Sequence, residues 1–97
     1  MLETVLTVQN ELGLHARAAA RLVHATSRFQ SRITFYRLGR SEAIDGKSIL
    51  GILMMAAACG SRLGVTVDGP DEQAALSAIK AMFQNQFEEK SEKDEDI

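Results

Sequence analysis

The sequence predicts a single α+β domain in which three helices cover one face of a four-stranded, mainly antiparallel sheet. Two observations predict this class. Segments with β-rich or alternating composition and segments with helical periodicity follow one another as strand, helix, strand, strand, helix, strand, helix. The 97 residues also have the length of one domain, and with no tryptophan and only five aromatic residues the core must be mainly aliphatic.

The first half of the chain is predicted to form a strand, a helix and two further strands. The segment "LETVLTV" has the alternation of a strand, and "QNELG" ends it with turn residues. From Ala16 to Ser27 the apolar residues change to helical spacing, which predicts the first helix. The segment "SRITFYRLGRSEAI" predicts two strands joined near "LGR", with Ile33, Phe35 and Leu38 facing the core.

The second half is predicted to form a helix, a strand and a last helix. In "DGKSILGILMMAAACG", Ser48 is a good N-cap residue and Gly60 a plausible stop for the second helix. This helix is apolar nearly all round, so a domain this small is expected to expose part of it as an apolar patch. After the strand "SRLGVTVDG", the third helix is predicted to begin with Gly69 as its cap and Pro70 at its first position.

Charge and cysteine content exclude several classes of function. Residues 88–97 hold six acids and two bases, so we expect an acidic, unfolded tail after a domain at residues 1–87. The body then holds seven acids and nine bases, too weak an excess for a nucleic-acid-binding protein. The one cysteine, Cys59, is expected in the core and cannot form a disulfide within the chain, which is typical of a cytoplasmic protein. The sequence also shows no secretion signal and no apolar run long enough to cross a bilayer, so we expect no membrane insertion.

No metal site and no cofactor are predicted. His15 and His24 stand nine residues apart on one predicted helix, and one cysteine does not complete a metal-binding pattern with them. The sequence also lacks the glycine-rich loops that bind nucleotide phosphates.

The first helix carries a basic stripe, formed by residues that lie within about 60° of one another around the helix axis. Its members are Arg17, Arg21, His24 and Arg28. No acidic residue of that helix pairs with them. The stripe is therefore either an ordinary solvated face or a surface that binds an acidic partner.

His15 stands where the first helix begins. The first amides of a helix have no partner within it, and the N-terminus carries about half a positive charge, which favours anions and a neutral ring. A phosphoryl group on a neutral His15 ring would lie over the N–H groups of Ala16 and Arg17, beside the Arg17 guanidinium. No second base or metal is apparent to activate water, which favours a carrier over a hydrolase. These residues alone leave a purely structural histidine as the alternative.

Three segments resemble the HPr family, the histidine phosphocarriers of the bacterial phosphotransferase system. "NELGLHARAAARLV" is similar to its active-site signature, "DGKSILGILMMAAACG" to its second signature and "VDGPDEQAALSAI" to its last strand-to-helix junction. The resemblance covers about residues 2–87 and implies the open-faced β-sandwich of that family, with the order βαββαβα. The sequence departs from the family at Ala18, where proline is usual.

The resemblance implies a role for each matched residue. His15 would accept a phosphoryl group on Nδ1 from the phosphohistidine of enzyme I and pass it to a histidine of an enzyme IIA domain, of either a sugar or a nitrogen-type regulatory branch. Arg17 would steady the phosphate. The implied partner-binding surface, called the docking face below, consists of Ala16, Ala20, Arg21, His24, Ile49, Leu50, Leu53 and Met54.

Ser48 matches the serine that HPr kinase/phosphorylase modifies in the family. A phosphate there would add a charge of about −2 to an apolar surface and weaken the binding of enzyme I. The alternative function is a regulatory binding module of the same fold that acts through Ser48, but such relatives tend to lack the active histidine. The favoured hypothesis is therefore a monomeric phosphocarrier that turns over no substrate by itself.

Overall fold

The computed structural model describes residues 1–88, which form a four-stranded sheet with helices against one face. The strands are β1 (Leu2–Thr7), β2 (Arg32–Arg37), β3 (Ile44–Asp45) and β4 (Arg62–Asp68). The helices are α1 (Ala16–Thr26), α2 (Ile49–Met55) and α3 (Glu72–Gln84), followed by a 3₁₀ turn at Gln86–Glu88. The predicted fold class and element order are confirmed. All of the predicted acidic tail except its first residue lies outside the described residues.

The strands lie in the order β1-β4-β2-β3, and every neighbouring pair is antiparallel. Val65 in the central strand β4 stands opposite Thr4 of β1 and Phe35 of β2. Beyond the end of β1, the N–H of Val8 donates to the carbonyl of Ser61 at 2.9 Å. The loop that leads into α1 is thereby held beside the segment that follows α2.

The core lies between the sheet and the helices. Strands β2 and β4 bury Ile33, Phe35, Leu63, Val65 and Val67. Helix α1 buries Ala18, Ala19, Leu22, Ala25 and Thr26, and α3 buries Ala75, Ile79, Met82 and Phe83. The core is mainly aliphatic, as predicted, but Phe83 joins two other rings in it: its centroid is 6.2 Å from that of Phe35 and 4.9 Å from that of Phe87.

Helix α2 ends earlier than its sequence predicts. Gly60 was expected to stop the helix, but the last helical residue is Met55, and Ala56 takes the left-handed conformation (φ 50°, ψ 43°) as the C-cap. The next carbonyl, of Ala57, accepts a hydrogen bond from the N–H of Leu14 at 2.9 Å. Tertiary hydrogen bonding therefore ends the helix where its apolar pattern continues. Within residues 1–88 no helix is long and apolar enough to cross a bilayer.

The predicted start of the third helix was also wrong. Gly69 and Pro70 precede α3, which begins at Glu72 with Asp71 at the N-cap. The Asp71 side chain forms no cap hydrogen bond with its own helix. Its carboxylate is engaged by the chain before β2 instead, so a tertiary contact determines where α3 begins.

The turn after β2 lies near "LGR" as predicted, with the N–H of Arg40 donating to the carbonyl of Arg37 at 3.1 Å. The returning strand β3 is only two residues long. Leu38, expected to face the core, is 40% exposed at this turn. Leu38 therefore lies outside the core, contrary to the prediction.

The carboxylate of Asp71 ties the start of α3 to the start of β2. One oxygen accepts the N–H of Gln30 at 2.8 Å, and the other accepts the N–H and the hydroxyl of Ser31 at 2.9 and 2.5 Å. These hydrogen bonds, with the Ser31 hydroxyl as the largest cause, lower the pKa of Asp71 below its ordinary value.

This lowered pKa predicts part of the pH dependence of stability. The contribution of Asp71 is complete above the unfolded pKa of about 3.9 and is lost as the pH falls through the lower folded value. We therefore expect Asp71→Asn to be less stable than the parent at pH 7 and to lose less stability between about pH 5 and 2. Thermal unfolding across that range measures the effect, with Glu42→Gln as an exposed carboxylate control. Identical pH profiles for parent and Asp71→Asn would contradict the assignment.

Candidate functional site

His15 is the N-cap residue of α1, with extended backbone (φ −77°, ψ −179°). Its carbonyl accepts the N–H of Ala19 at 2.8 Å, the first bond of the helix. Its ring atom Nδ1 accepts the backbone N–H of Arg17 at 3.3 Å. Only an imidazole nitrogen without a proton can accept such a bond, so this geometry is that of a neutral ring with its proton on Nε2. The ring does for this helix what a serine hydroxyl does at other N-caps.

This arrangement gives Nδ1 the chemistry of a nucleophile beside an anion site. The lone pair of Nδ1 points at the positive end of an 11-residue helix, and the half-buried ring is reachable from solvent. If Nδ1 were bonded to a phosphoryl group, the N–H of Arg17 would lose its present acceptor and could donate to a phosphoryl oxygen. The same amide would then serve the ring before such a transfer and the phosphate after it.

A short loop holds His15 against the segment that follows α2. The side chain of Leu14 is buried, and its N–H donates to the carbonyl of Ala57. Gly13 has φ +68°, and a Cβ there would lie 2.5 Å from that same carbonyl. The side chain of Asn10 closes the loop, with Nδ2 donating to the carbonyl of Gly13 at 2.6 Å. Only glycine fits at position 13, because both the backbone angle and the space exclude a side chain.

The role of Ala57 in this loop had no signal in the sequence. It contributes only a backbone carbonyl, which every residue has, and its partner Leu14 lies 43 positions earlier. Arg17, which the sequence did single out, is exposed on the first turn of α1. Its guanidinium can therefore turn toward an anion at the helix N-terminus.

Helices α1 and α2 lie side by side and run in opposite directions. The start of α1 meets the end of α2 through the loop contact just described. The end of α1 meets the start of α2, where Thr26 Oγ1 donates to the carbonyl of Gly46 at 2.8 Å. Ser48 therefore lies beside the end of α1, one helix length from His15, on the order of 15 Å at ~1.5 Å per residue. The two residues mark opposite ends of one surface.

Ser48 caps α2 as its sequence predicts. Its Oγ accepts the N–H of Gly51 at 3.0 Å, and its backbone is extended (φ −107°, ψ 111°). The side chain is half-buried. Its hydroxyl thus has a structural role as the cap of α2.

The apolar part of the docking face is exposed on α2. Ile49, Leu50 and Met54 are 42%, 65% and 75% exposed, whereas Leu53 is half-buried. The opposite side of the helix is buried in the core through Ile52 and Met55. The expected apolar patch is therefore present, and the two neighbouring methionines belong to different environments.

The α1 part of the docking face is less uniform than its sequence suggests. Ala16, Ala20 and His24 are exposed. Arg21 is half-buried, because its Nη1 donates to the carbonyl of Phe87 at 3.0 Å. Arg21 thus fastens the 3₁₀ turn at Gln86–Glu88 to α1, a role that its place in the basic stripe did not reveal.

Cys59 lies outside the core, contrary to the sequence prediction. Because α2 ends at Met55, this cysteine falls in the turn before β4, where it is exposed and its thiol faces the carbonyl of Gln9 at 3.6 Å. Within residues 1–88 no group of three or more histidine, cysteine or acidic side chains could hold a metal ion.

Ala18 is fully buried at the third position of α1. An N–H at this position lacks an acceptor four residues earlier in the helix, so proline is compatible with it. We expect Ala18→Pro to stabilise the protein by about 0.4–1 kcal/mol, mainly by restricting the unfolded chain. Ala20→Pro is the matched control, since it breaks an interior helical bond and should cost about 3 kcal/mol. Urea unfolding measures both, and a less stable Ala18→Pro would mean that the buried site has no room for the ring.

A family model described as "PTS HPr component phosphorylation site" matches residues 2–85 of the chain. The phosphocarrier protein HPr of Treponema pallidum is 51% identical over 89 residues, which cover 92% of this chain and 99% of that protein. The phosphocarrier protein HPr of Xylella fastidiosa strain Temecula1 is 47% identical, over 92% of this chain and 98% of its own length.

A solved structure has the same fold. HPr-C-His from Thermoanaerobacter tengcongensis superposes with a TM-score of 0.86 at 31% identity, covering 94% of this chain and all of that one. The similarity thus extends over both the sheet and the helices that carry His15 and Ser48.

Proposed function

The chain belongs to the HPr family of phosphocarriers of the phosphotransferase system, and on this premise we propose that His15 is the residue that carries the phosphoryl group. It is a carrier and not a turnover enzyme. In the proposed cycle, a monomer in the cytoplasm takes the group from the phosphohistidine of enzyme I and gives it to a histidine of an enzyme IIA domain.

The geometry of Nδ1 is the observation that carries this proposal. The Nδ1 lone pair attacks phosphorus while the bond from phosphorus to the donor's ring nitrogen breaks, and that electron pair returns to the donor. The proton stays on Nε2 of His15, so the phosphorylated ring is positively charged. In the second transfer the ring leaves as neutral imidazole, which makes the bond to phosphorus easy to break.

The surroundings of His15 suit a group that must be both held and released. The N–H of Arg17, now 3.3 Å from Nδ1, can donate to the phosphoryl group, and the exposed Arg17 guanidinium can offer two parallel donors. Both lie at the surface, where water weakens charge interactions. Moderate stabilisation favours transfer onward over a trapped phosphoprotein.

The test is phosphate uptake by the purified chain. Incubated with enzyme I, phosphoenolpyruvate and Mg²⁺, the protein should gain the mass of one phosphate, and acid should remove it. Adding a sugar-type or a nitrogen-type IIA domain should discharge it, and the faster of the two identifies the branch. If the same enzyme I charges an HPr of known activity but leaves this chain unmodified, the proposal is wrong.

We further propose that the docking face binds both partners and that a charge at Ser48 weakens binding of enzyme I. Support comes from the three exposed apolar residues of α2, which begin directly after Ser48. Phosphorylation by an HPr kinase/phosphorylase would place about two negative charges beside them.

Ser48→Asp tests this regulation without loss of the cap. Aspartate and asparagine are both good N-cap residues. The Ser48→Asn variant therefore matches Ser48→Asp in side-chain size and in capping but adds no charge. We expect Ser48→Asp to slow uptake from limiting enzyme I about tenfold, equivalent to ~1.4 kcal/mol of binding, and Ser48→Asn to have little effect. Equal rates for the two variants would show that charge at this position does not regulate docking.

A further inference from the structure

The end of α2 combines an unfavourable backbone conformation with carbonyls whose hydrogen-bond donors lie outside the helix. Ala56 has the left-handed backbone conformation, which is unfavourable for a residue with a Cβ. The last carbonyls of a helix also receive no hydrogen bond from an N–H of that helix, so they require other donors. Something outside α2 must therefore hold this end in place.

Arg37 supplies those donors from the sheet. Its Nη2 donates to the carbonyl of Met55 at 2.6 Å and to that of Ala56 at 3.2 Å. The charge of the guanidinium is also favourable at the negative end of a helix. Arg37 is itself fixed, because its backbone ends β2 opposite Leu63 of β4.

The segment that Arg37 holds is the one that holds the histidine loop. The residue after Ala56 provides the carbonyl that accepts the N–H of Leu14, and the backbone of Gly13 packs directly on it. His15 follows immediately. Met54, an exposed residue of the docking face, comes directly before the two residues whose carbonyls accept the hydrogen bonds of Arg37.

We propose that Arg37 is a positioning residue that sets both the His15 ring and the Met54 end of the docking face by anchoring the end of α2 to the sheet. The importance of this for phosphoryl transfer rests on the proposed role of His15. The Arg37 side chain donates to the carbonyls of Met55 and Ala56, so its proposed effect on His15 is carried by the backbone of residues 55–57 and the loop before α1.

The test compares Arg37→Leu with Arg37→Lys, and with Arg32→Leu as the control. Arg32 is an exposed arginine at the opposite end of the same strand. We expect Arg37→Leu to shift the amide signals of Leu14 and Arg17, to alter the ¹⁵N signal of His15 Nδ1, and to slow phosphate uptake about tenfold. Arg37→Lys keeps the positive charge and a hydrogen-bond donor. Its amide signals, its His15 Nδ1 signal and its uptake rate should therefore lie much closer to those of the parent. Arg32→Leu should change none of them.

A variant that only destabilises the fold separates positioning from stability. Ser31→Ala removes the single hydrogen bond from the Ser31 hydroxyl to Asp71, at the opposite end of β2 from Arg37. If Arg37→Leu leaves the Leu14, Arg17 and His15 signals at their parent positions, or slows uptake no more than Ser31→Ala does, the proposal is overturned. The NMR signals do not depend on phosphate transfer, so they test Arg37 even if the chain takes up no phosphate.

Discussion

Replacing His15 with asparagine is expected to abolish phosphate uptake from phospho-enzyme I while leaving the fold intact. Asparagine is among the best N-cap residues, so its side chain can accept the N–H of Arg17 in place of Nδ1. It has no nucleophilic nitrogen, however, because the amide lone pair is delocalised into the carbonyl. The variant therefore removes the chemistry of His15 and retains its structural role.

The second histidine makes this experiment decisive. His24 is exposed in the last turn of the same helix, next to the negative end of the dipole, where a phosphate is disfavoured. It remains present in His15→Asn. Mass measurement after incubation with enzyme I should find no phosphate on the variant, and circular dichroism should find an unfolding midpoint close to that of the parent. Uptake that persists in His15→Asn would assign the phosphate to His24 or another residue.

Replacing Phe87 with alanine is expected to lower the free energy of unfolding by about 3–5 kcal/mol, the usual cost of removing a buried phenylalanine ring. Phe87 is fully buried, although it is the last buried residue of the described chain. Its ring packs edge-on against Phe83, with centroids 4.9 Å apart. Its carbonyl accepts the guanidinium of Arg21, so the ring also holds this contact with α1 in place.

Urea unfolding followed by circular dichroism measures this effect. Phe87→Leu keeps most of the buried volume and is expected to lose much less stability than the alanine variant. Glu88→Ala changes the exposed next residue and should be nearly neutral. If Phe87→Ala were as stable as Glu88→Ala, the turn at Gln86–Glu88 would contribute nothing to the core.

The domain end predicted at residue 87 is consistent with a buried Phe87 and an exposed Glu88, and it stays a prediction.

Local patterns in the sequence were sufficient for much of the fold and the centre of the site. The N-caps at His15 and Ser48, the helical periodicity of α1 and the apolar surface of α2 involve residues no more than a few positions apart. Their physics is the satisfaction of the first helical amides and the burial of one face. The resemblance to the HPr family then implied a chemical role for His15, which its position alone left open.

Contacts between distant residues account for the predictions that were wrong or missing. The Arg37 bonds to the end of α2 join residues 18 and 19 positions apart, the Asp71 bonds to Gln30 and Ser31 join residues 41 and 40 apart, and the Arg21 bond to Phe87 joins residues 66 apart. None of these pairs has a sequence pattern, because an arginine or an aspartate can meet any carbonyl or amide that the fold brings near it.

The sequence by itself therefore determined the elements, their order, the fold class and the histidine at the start of α1, since each follows from interactions within a few residues. The tertiary structure alone decided the strand order, the early end of α2, the half-buried state of Arg21 and the placement of Ser48 at the opposite end of the docking face from His15. Those features depend on which buried surfaces and unpartnered backbone groups meet when the helices pack on the sheet. That packing also decides that Arg37, a residue with no motif around it, contacts the segment that holds the histidine loop.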